Sequence, residues 1–284
     1  MEKKLSRKKY VTTDMRILTV VGISNSGKTT VVEGLIKELS NRGYSVGTVK
    51  SISCGSRCHL FQNGICHCSR GASGDHKFTI DSDGTNSRRH KLAGSQQVTT
   101  WAENETAVLF SKELTYRELV SLYDFDYLIL EGDYYSSVPR IVTAKAKEDA
   151  VARIDDLTFV VSGQIANNQN SINGLPIINA LEDMKTLADM VENSVFPQIP
   201  FADDLGCDLC GMSCRELSSK ILKGEATIEQ CLRKRPSINL TLDGKTISLD
   251  IEESQQLEKA VQRALRSAGI APANSKIEIS AENA

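Results

Sequence analysis

Two residue patterns in this chain are suited to chemistry: a glycine-rich run with one lysine, and eight cysteines in two groups of four. The run is Gly22-Ile23-Ser24-Asn25-Ser26-Gly27-Lys28-Thr29, which fits G-x-x-x-x-G-K-[ST]. Glycines let backbone N–H groups turn inward around phosphate oxygens, and a helix starting here adds its positive end. Gly22, Asn25, Ser26 and Gly27 would form such a loop. Lys28 reaches toward β- and γ-phosphates, the Thr29 hydroxyl can ligate magnesium, and Thr30 follows at the nucleotide. Magnesium also needs an acid at the end of a neighbouring strand. The apolar run 127–130 ends in Glu131, which supplies that carboxylate; Asp126, at the run's other end, is the weaker candidate. Lys28 and Glu131 are therefore the candidates for catalytic roles. The competing account of Glu131 is an ordinary polar strand end. The guanine motif Asn-Lys-x-Asp does not occur, so base contacts are sought in residues 162–170, which follow a strand.

The cysteines are Cys54, Cys58, Cys66 and Cys68, then Cys207, Cys210, Cys214 and Cys231. Close clusters of this kind, in a chain without a signal peptide, point to metal or iron–sulfur ligands before disulfides. The second group places three ligands in one tight loop and the fourth beyond a helix. Leu217, Ile221 and Leu222 give that helix an apolar face and Gly224 can end it. Thr227-x-x-Gln230 then has a capping-box pattern that would put Cys231 in the first turns of a further helix. Four thiolates so placed suit a [4Fe–4S] cluster, with structural zinc the runner-up. The segment also resembles the small four-cysteine iron–sulfur domains of anaerobic corrinoid and carbon monoxide metabolism. The first group, with His59, His67 and His76 nearby, suits zinc or a second iron–sulfur cluster equally.

These residues need a scaffold. Residues 17–21 read as a buried parallel strand, and Val31, Val32, Leu35, Ile36 and Leu39 recur at helical spacing behind the glycine loop. Gly43 stops that helix and residues 45–50 form the next strand. Residues 51–76 break the pattern as a cysteine-rich insertion. Strand-like runs resume at 97–100, 107–110, 127–130, 140–144, 158–161 and 176–179, with helical pieces at 115–123 and 182–191. Alternating strands and helices predict an α/β fold, a mostly parallel P-loop sheet with helices on both faces. Residues 1–15 read as a flexible tail, 16–200 as the nucleotide domain and 201–235 as the four-cysteine module. Residues 236–284 follow, with a hairpin around Asp243-Gly244, a helix over 252–268 and a polar, frayed end.

Three segments together resemble the molybdopterin-guanine dinucleotide biosynthesis protein B family. They are the P-loop with its continuation through Arg42-Gly43-Tyr44-Ser45-Val46-Gly47-Thr48-Val49-Lys50, the stretch 81–94, and Leu130-Glu131-Gly132-Asp133-Tyr134. The stretch 81–94 is similar to D-x-x-G-x-D-S-x-R-x-x-x-A-G, but Asn86 stands for the family's Asp and Thr85 for its frequent Lys. The resemblance adds Lys50, Asp81, Ser87 and Arg89 to the nucleotide-site candidates; without it, Arg88, Arg89 and His90 read as a solvated helix start. It implies a GTP- and magnesium-binding accessory protein for attaching GMP to molybdopterin or its tungsten analogue. It further implies a homodimer, with a guanylyltransferase and a molybdo- or tungsto-enzyme as partners.

With no arginine finger or water-orienting Gln identifiable, any GTP hydrolysis should be slow. The alternative from another class is a nucleotide-switched metallocluster carrier or redox-gated ATPase, with the cysteines holding the cargo. A net charge of −2 gives no reason to expect nucleic acid as a partner. No apolar stretch approaches the roughly 18 residues of a membrane span and no h-region follows the N-terminal charges, so a cytoplasmic protein is expected.

Overall fold

The computed structural model describes residues 15–52, 80–199 and 210–231. It also describes paired strands at 61–62, 65–66, 238–242, 245–247 and 277–281, and helical positions 257, 260, 261 and 264. In chain order the elements begin β1 (Arg16–Gly22), α1 (Lys28–Asn41), β2 (Val46–Lys50), and the short strands β3 (Phe61–Gln62) and β4 (Ile65–Cys66). Next come α2 (Asn86–Leu92), β5 (Gln97–Trp101), β6 (Thr106–Phe110), α3 (Tyr116–Val120) and β7 (Tyr127–Glu131). Then follow β8 (Arg140–Thr143), α4 (Lys147–Val151), β9 (Thr158–Ser162), β10 (Ser171–Ile172), β11 (Leu175–Pro176), α5 (Met184–Ser194) and α6 (Cys214–Leu222). β12 (Ile238–Leu242), β13 (Lys245–Ile247) and β14 (Ile277–Ala281) complete the series.

The central sheet has five parallel strands in the order β2–β7–β1–β8–β9, so the strand feeding the glycine loop lies in the middle. β7, β8 and β9 are buried along their whole length, which is why they read as continuous apolar runs rather than alternating ones. Successive β1 side chains enter different cores: Leu18 and Val20 pack under α1 and α5, Ile17 with Val120 and Leu128 on the opposite face. Helices therefore cover both faces. α1 buries Val31, Val32, Leu35 and Leu39, the face expected from the sequence. It approaches α5 so closely that a Cβ on Gly34 would lie 2.1 Å from Met184 Cε. Arg42 ties the end of α1 to α5 through Asp189 at 2.6 Å and through Glu192.

Three expectations need correction. Residues 97–101 and 106–110 form a separate antiparallel hairpin, not members of the parallel series; the short connection at 102–105 favours hairpin pairing over a crossover. Residues 175–176 pair back on β10, and the run meets the main sheet only at residues 177–178, through a parallel bridge to Val161. The chain's last residues are not all frayed: β14 pairs parallel to β12, making a three-stranded sheet with the expected β12–β13 hairpin.

The cysteine helix α6 is fastened to the central domain. Ser218 Oγ donates to the Ser137 carbonyl at 2.6 Å, and Arg215 reaches Asp155 at 2.8 Å and Asp156 at 2.6 Å. Asp155 also holds Arg140 at 2.8 Å. Burial pushes the Arg140 guanidinium below its ordinary value, and Asp155 opposes that shift.

Candidate nucleotide-binding site

The phosphate loop leaves β1 at Gly22 and enters α1 at Lys28. Gly27 caps the helix in the left-handed region at φ 103°, with no side-chain cap and no acidic residue in the first turn. The first-turn N–H groups and the helix's positive end thus meet no competing carboxylate from their own helix, the arrangement that favours a bound anion. Lys28 Nζ curls over the loop and donates to the carbonyls of Gly22 at 2.9 Å and Ile23 at 2.6 Å.

Parallel register aligns the rest. Val20 and Lys50 both stand opposite Glu131, so the ends of β1, β7 and β2 bring these positions together. Glu131 is 8% exposed, and its Oε1 accepts from Thr29 Oγ1 at 3.1 Å and from Lys50 Nζ at 2.5 Å. A hydroxyl and a carboxylate beside a phosphate loop form the all-oxygen donor set that a hard divalent cation such as magnesium takes. Asp126 is placed differently. At the opposite end of β7 it accepts from the hydroxyl and backbone N–H of Ser45, which hold its carboxyl below the usual range. It has no place in the magnesium set.

Several residues that support the loop were not among the site candidates from the sequence. Tyr134 OH accepts from Gly22 N at 2.9 Å and donates to Gly22 O at 3.1 Å, bracing the loop from the segment after Glu131. Thr143, at the end of β8, meets Ser26 Oγ at 2.7 Å. Gln164 Nε2 donates to Asn25 O at 3.0 Å. A Cβ on Gly163, whose φ is 93°, would stand 2.2 Å from the Ser26 carbonyl oxygen. The signals in the sequence were the family-like stretch 130–134 for Tyr134 and the segment 162–170 for Gly163 and Gln164, while Thr143 had only its place at the end of a strand.

Asp81 and Ser87 are brought to each other. Asp81 Oδ1 accepts from Ser87 Oγ and Thr85 Oγ1, both at 2.9 Å, and Thr85 caps α2 through Arg88 N. Arg89 is exposed on the first turn of α2. These three form a second polar group around the start of α2.

The profile of the family described as MobB, molybdopterin guanine dinucleotide synthesis protein B, matches residues 17–60 and 72–162. The nucleotide domain resembles that family along its main sheet, from the phosphate loop to the end of β9. The chain is also similar to a molybdopterin-guanine dinucleotide biosynthesis adapter protein of Methanocaldococcus jannaschii, 25% identical over 82% of this chain and 83% of that one. It is similar to another of Haemophilus influenzae, 25% identical over 65% of this chain and 92% of that one. Among solved structures, Bacillus subtilis MobB aligns with 65% of this chain and 100% of its own at 23% identity and a TM-score of 0.48. The archaeal alignment, spanning 82% of 284 residues, reaches past about residue 230 wherever it starts, so it includes the segment of Cys207–Cys231.

Of the C-terminal tetrad, Cys210, Cys214 and Cys231 are described. Cys214 and Cys231 are buried in one small cluster with Ile199, Leu217 and Ala226, and Cys210 packs against it. The chain does return Cys231 to Cys214, but by a different route from the one expected. Thr227 makes no side-chain cap, and a short 3-10 turn at 228–230 delivers Cys231 in extended backbone rather than inside a helix. Among the described residues no group of three or more potential ligands is gathered for a metal ion. Cys207 and the side chains of Cys54, Cys58, Cys66 and Cys68 lie outside the described residues.

Proposed function

We propose that this chain is a GTP-binding accessory protein of molybdenum or tungsten cofactor synthesis, assisting attachment of GMP to molybdopterin. One observation carries the proposal: a phosphate loop, an uncapped helix start and the Thr29–Glu131–Lys50 cluster meet at the carboxyl ends of the strands of a MobB-like domain. Thr29 and Glu131 would hold magnesium, which neutralises phosphate charge when bound; Lys28 would take the β- and γ-phosphates, and Lys50 steadies the Glu131 carboxylate. The partners in this proposal are a guanylyltransferase and a recipient molybdo- or tungsto-enzyme. A homodimer belongs to it as well, supported by the separate β5–β6 hairpin, on which Trp101 is 87% exposed. Titration calorimetry tests the core of it. Magnesium GTP should bind the natural chain, and Lys28→Ala should lose that binding while its circular dichroism is unchanged. Undiminished affinity in Lys28→Ala sinks the assignment.

The module at 201–235 would add a [4Fe–4S] cluster on Cys207, Cys210, Cys214 and Cys231, with zinc as the alternative. The thiols of Cys214 and Cys231 in one buried cluster suit such soft-ligand chemistry. A nucleotide-switched, redox-gated ATPase or cluster carrier is the second reading. The observation favouring it is the Ser218–Ser137 bond, which fastens the cysteine helix to the segment carrying Tyr134, itself bonded to Gly22.

A further inference from the structure

Beyond the phosphate contacts, the same end of the sheet carries an ordered pair of amides. β9 ends at Ser162, and the strand segment beside it is residues 177–178. Ile178 N donates to Val161 O at 2.9 Å, and Ser162 Oγ donates to the Ile178 carbonyl at 2.7 Å. The segment after β9 and the segment starting at Asn179 therefore leave the sheet together, at the carboxyl end of the strands, which also carries the phosphate loop. Gly163 is pressed on Ser26, and Gln164 is bonded to the Asn25 carbonyl, so this exit is pinned along the phosphate loop itself. Three residues further on, Asn167 meets Asn179: Asn179 Nδ2 donates to Asn167 Oδ1 at 3.3 Å. In parallel α/β sheets this crevice outside the strand ends is where a ligand lies.

The pair has a fixed polarity. Leu181 N donates to Asn179 Oδ1 at 3.1 Å, and a backbone N–H can only donate. The Asn179 oxygen must face Leu181, so its nitrogen turns to Asn167, and Asn167 must answer with its oxygen. What Asn167 offers outward is Nδ2, a group with two donors and no acceptor. An asparagine reads adenine by giving its oxygen to N6 and its nitrogen to N7, whereas the guanine edge presents two acceptors, O6 and N7.

We infer that Asn167, oriented by Asn179 and Leu181, reads the base of the bound triphosphate as a donor and selects a 6-oxopurine over a 6-aminopurine. The inference rests on the triphosphate reading of the phosphate loop. It supplies base selection in a chain that lacks Asn-Lys-x-Asp. A site that expects an acceptor at position 6 rejects an amino group there, because two donors then face each other.

Calorimetric titration of the full chain with magnesium and GTP, inosine triphosphate or ATP tests it. GTP and inosine triphosphate should bind within a few-fold of each other, and ATP at least roughly tenfold more weakly. Asn167→Asp replaces the donor by a carboxylate oxygen at an exposed position. It should weaken both 6-oxopurines by about tenfold while ATP holds or gains, erasing the preference. Asn179→Ala, which leaves Asn167 but frees it to turn, should narrow the GTP-to-ATP ratio. ATP binding as tightly as GTP, or inosine triphosphate as weakly as ATP, overturns the selection and leaves the phosphate loop standing. Failure of all three nucleotides to bind overturns both.

Discussion

At the scale of single residues, Glu131 is where the charges of the site meet. Its Oε1 takes a hydroxyl from Thr29 and an ammonium from Lys50, while its own side chain is nearly dry. A carboxylate that served only as a strand end would need no such company. Glu131→Gln keeps the shape and removes the charge, so magnesium-dependent GTP affinity should fall roughly tenfold or more, with the magnesium-free affinity changed far less. Titrations in magnesium and in a chelator separate the two, and equal losses would reduce Glu131 to a steadying partner of Lys50. Lys28 and Thr29 were readable from the motif because their chemistry is local. The loop-supporting roles of Tyr134, Thr143 and Gln164 were not, since each acts through a contact more than 100 residues away in sequence, at separations of 112, 117 and 139.

At the scale of elements, Asp155 joins two parts of the molecule with one carboxylate. Arg140, 3% exposed on β8, and Arg215 on α6 both reach its Oδ2. The two arginines have different stakes in it. Asp155→Ala strands a buried guanidinium and should cost about 3 kcal/mol in urea unfolding, the lower end for a broken buried pair because Asp155 is partly wet. Arg215→Ala removes a half-exposed pair and should cost less than about 1 kcal/mol, loosening α6 rather than the sheet. Proteolysis confined to α6 in the second variant, with the domain intact, distinguishes them; equal destabilisation would show that α6 is integral to the sheet domain. The main strands and α1 were legible because burial on both sides leaves an apolar run no alternative. The pairing of 97–110 was not, because alternation shows that a segment is a strand and not which strand it joins. β14 was hidden for the same reason: Ile277 and Ile279 alternate with polar residues in a tail whose partner lies 39 residues earlier in the register, at Ile238 and Leu240.

At the scale of the whole molecule, the question is whether the cysteine module depends on a metal. Its described core is four buried residues, Cys214, Leu217, Ala226 and Cys231, two of them cysteines, with Ile199 from the preceding segment and Met212, Ile221 and Ile228 partly buried against them. So little apolar surface does not hold a segment of this length, and a metal tying four thiolates together would supply what packing lacks. The docking bonds of Ser218 and Arg215, with Leu222 packed against the main core, position α6. A [4Fe–4S] cluster on Cys207, Cys210, Cys214 and Cys231 would make the anaerobically purified protein brown. Cys210→Ser should lose that colour and expose residues 210–231 to hydrogen exchange. Magnesium GTP should still bind this variant, because the nucleotide domain has its own cores and its own loop. Colourless anaerobic protein with one zinc per chain, lost in Cys210→Ser, would replace the cluster by structural zinc. Unchanged exchange protection in a metal-free protein would reject both, leaving the thiols as members of a small apolar core.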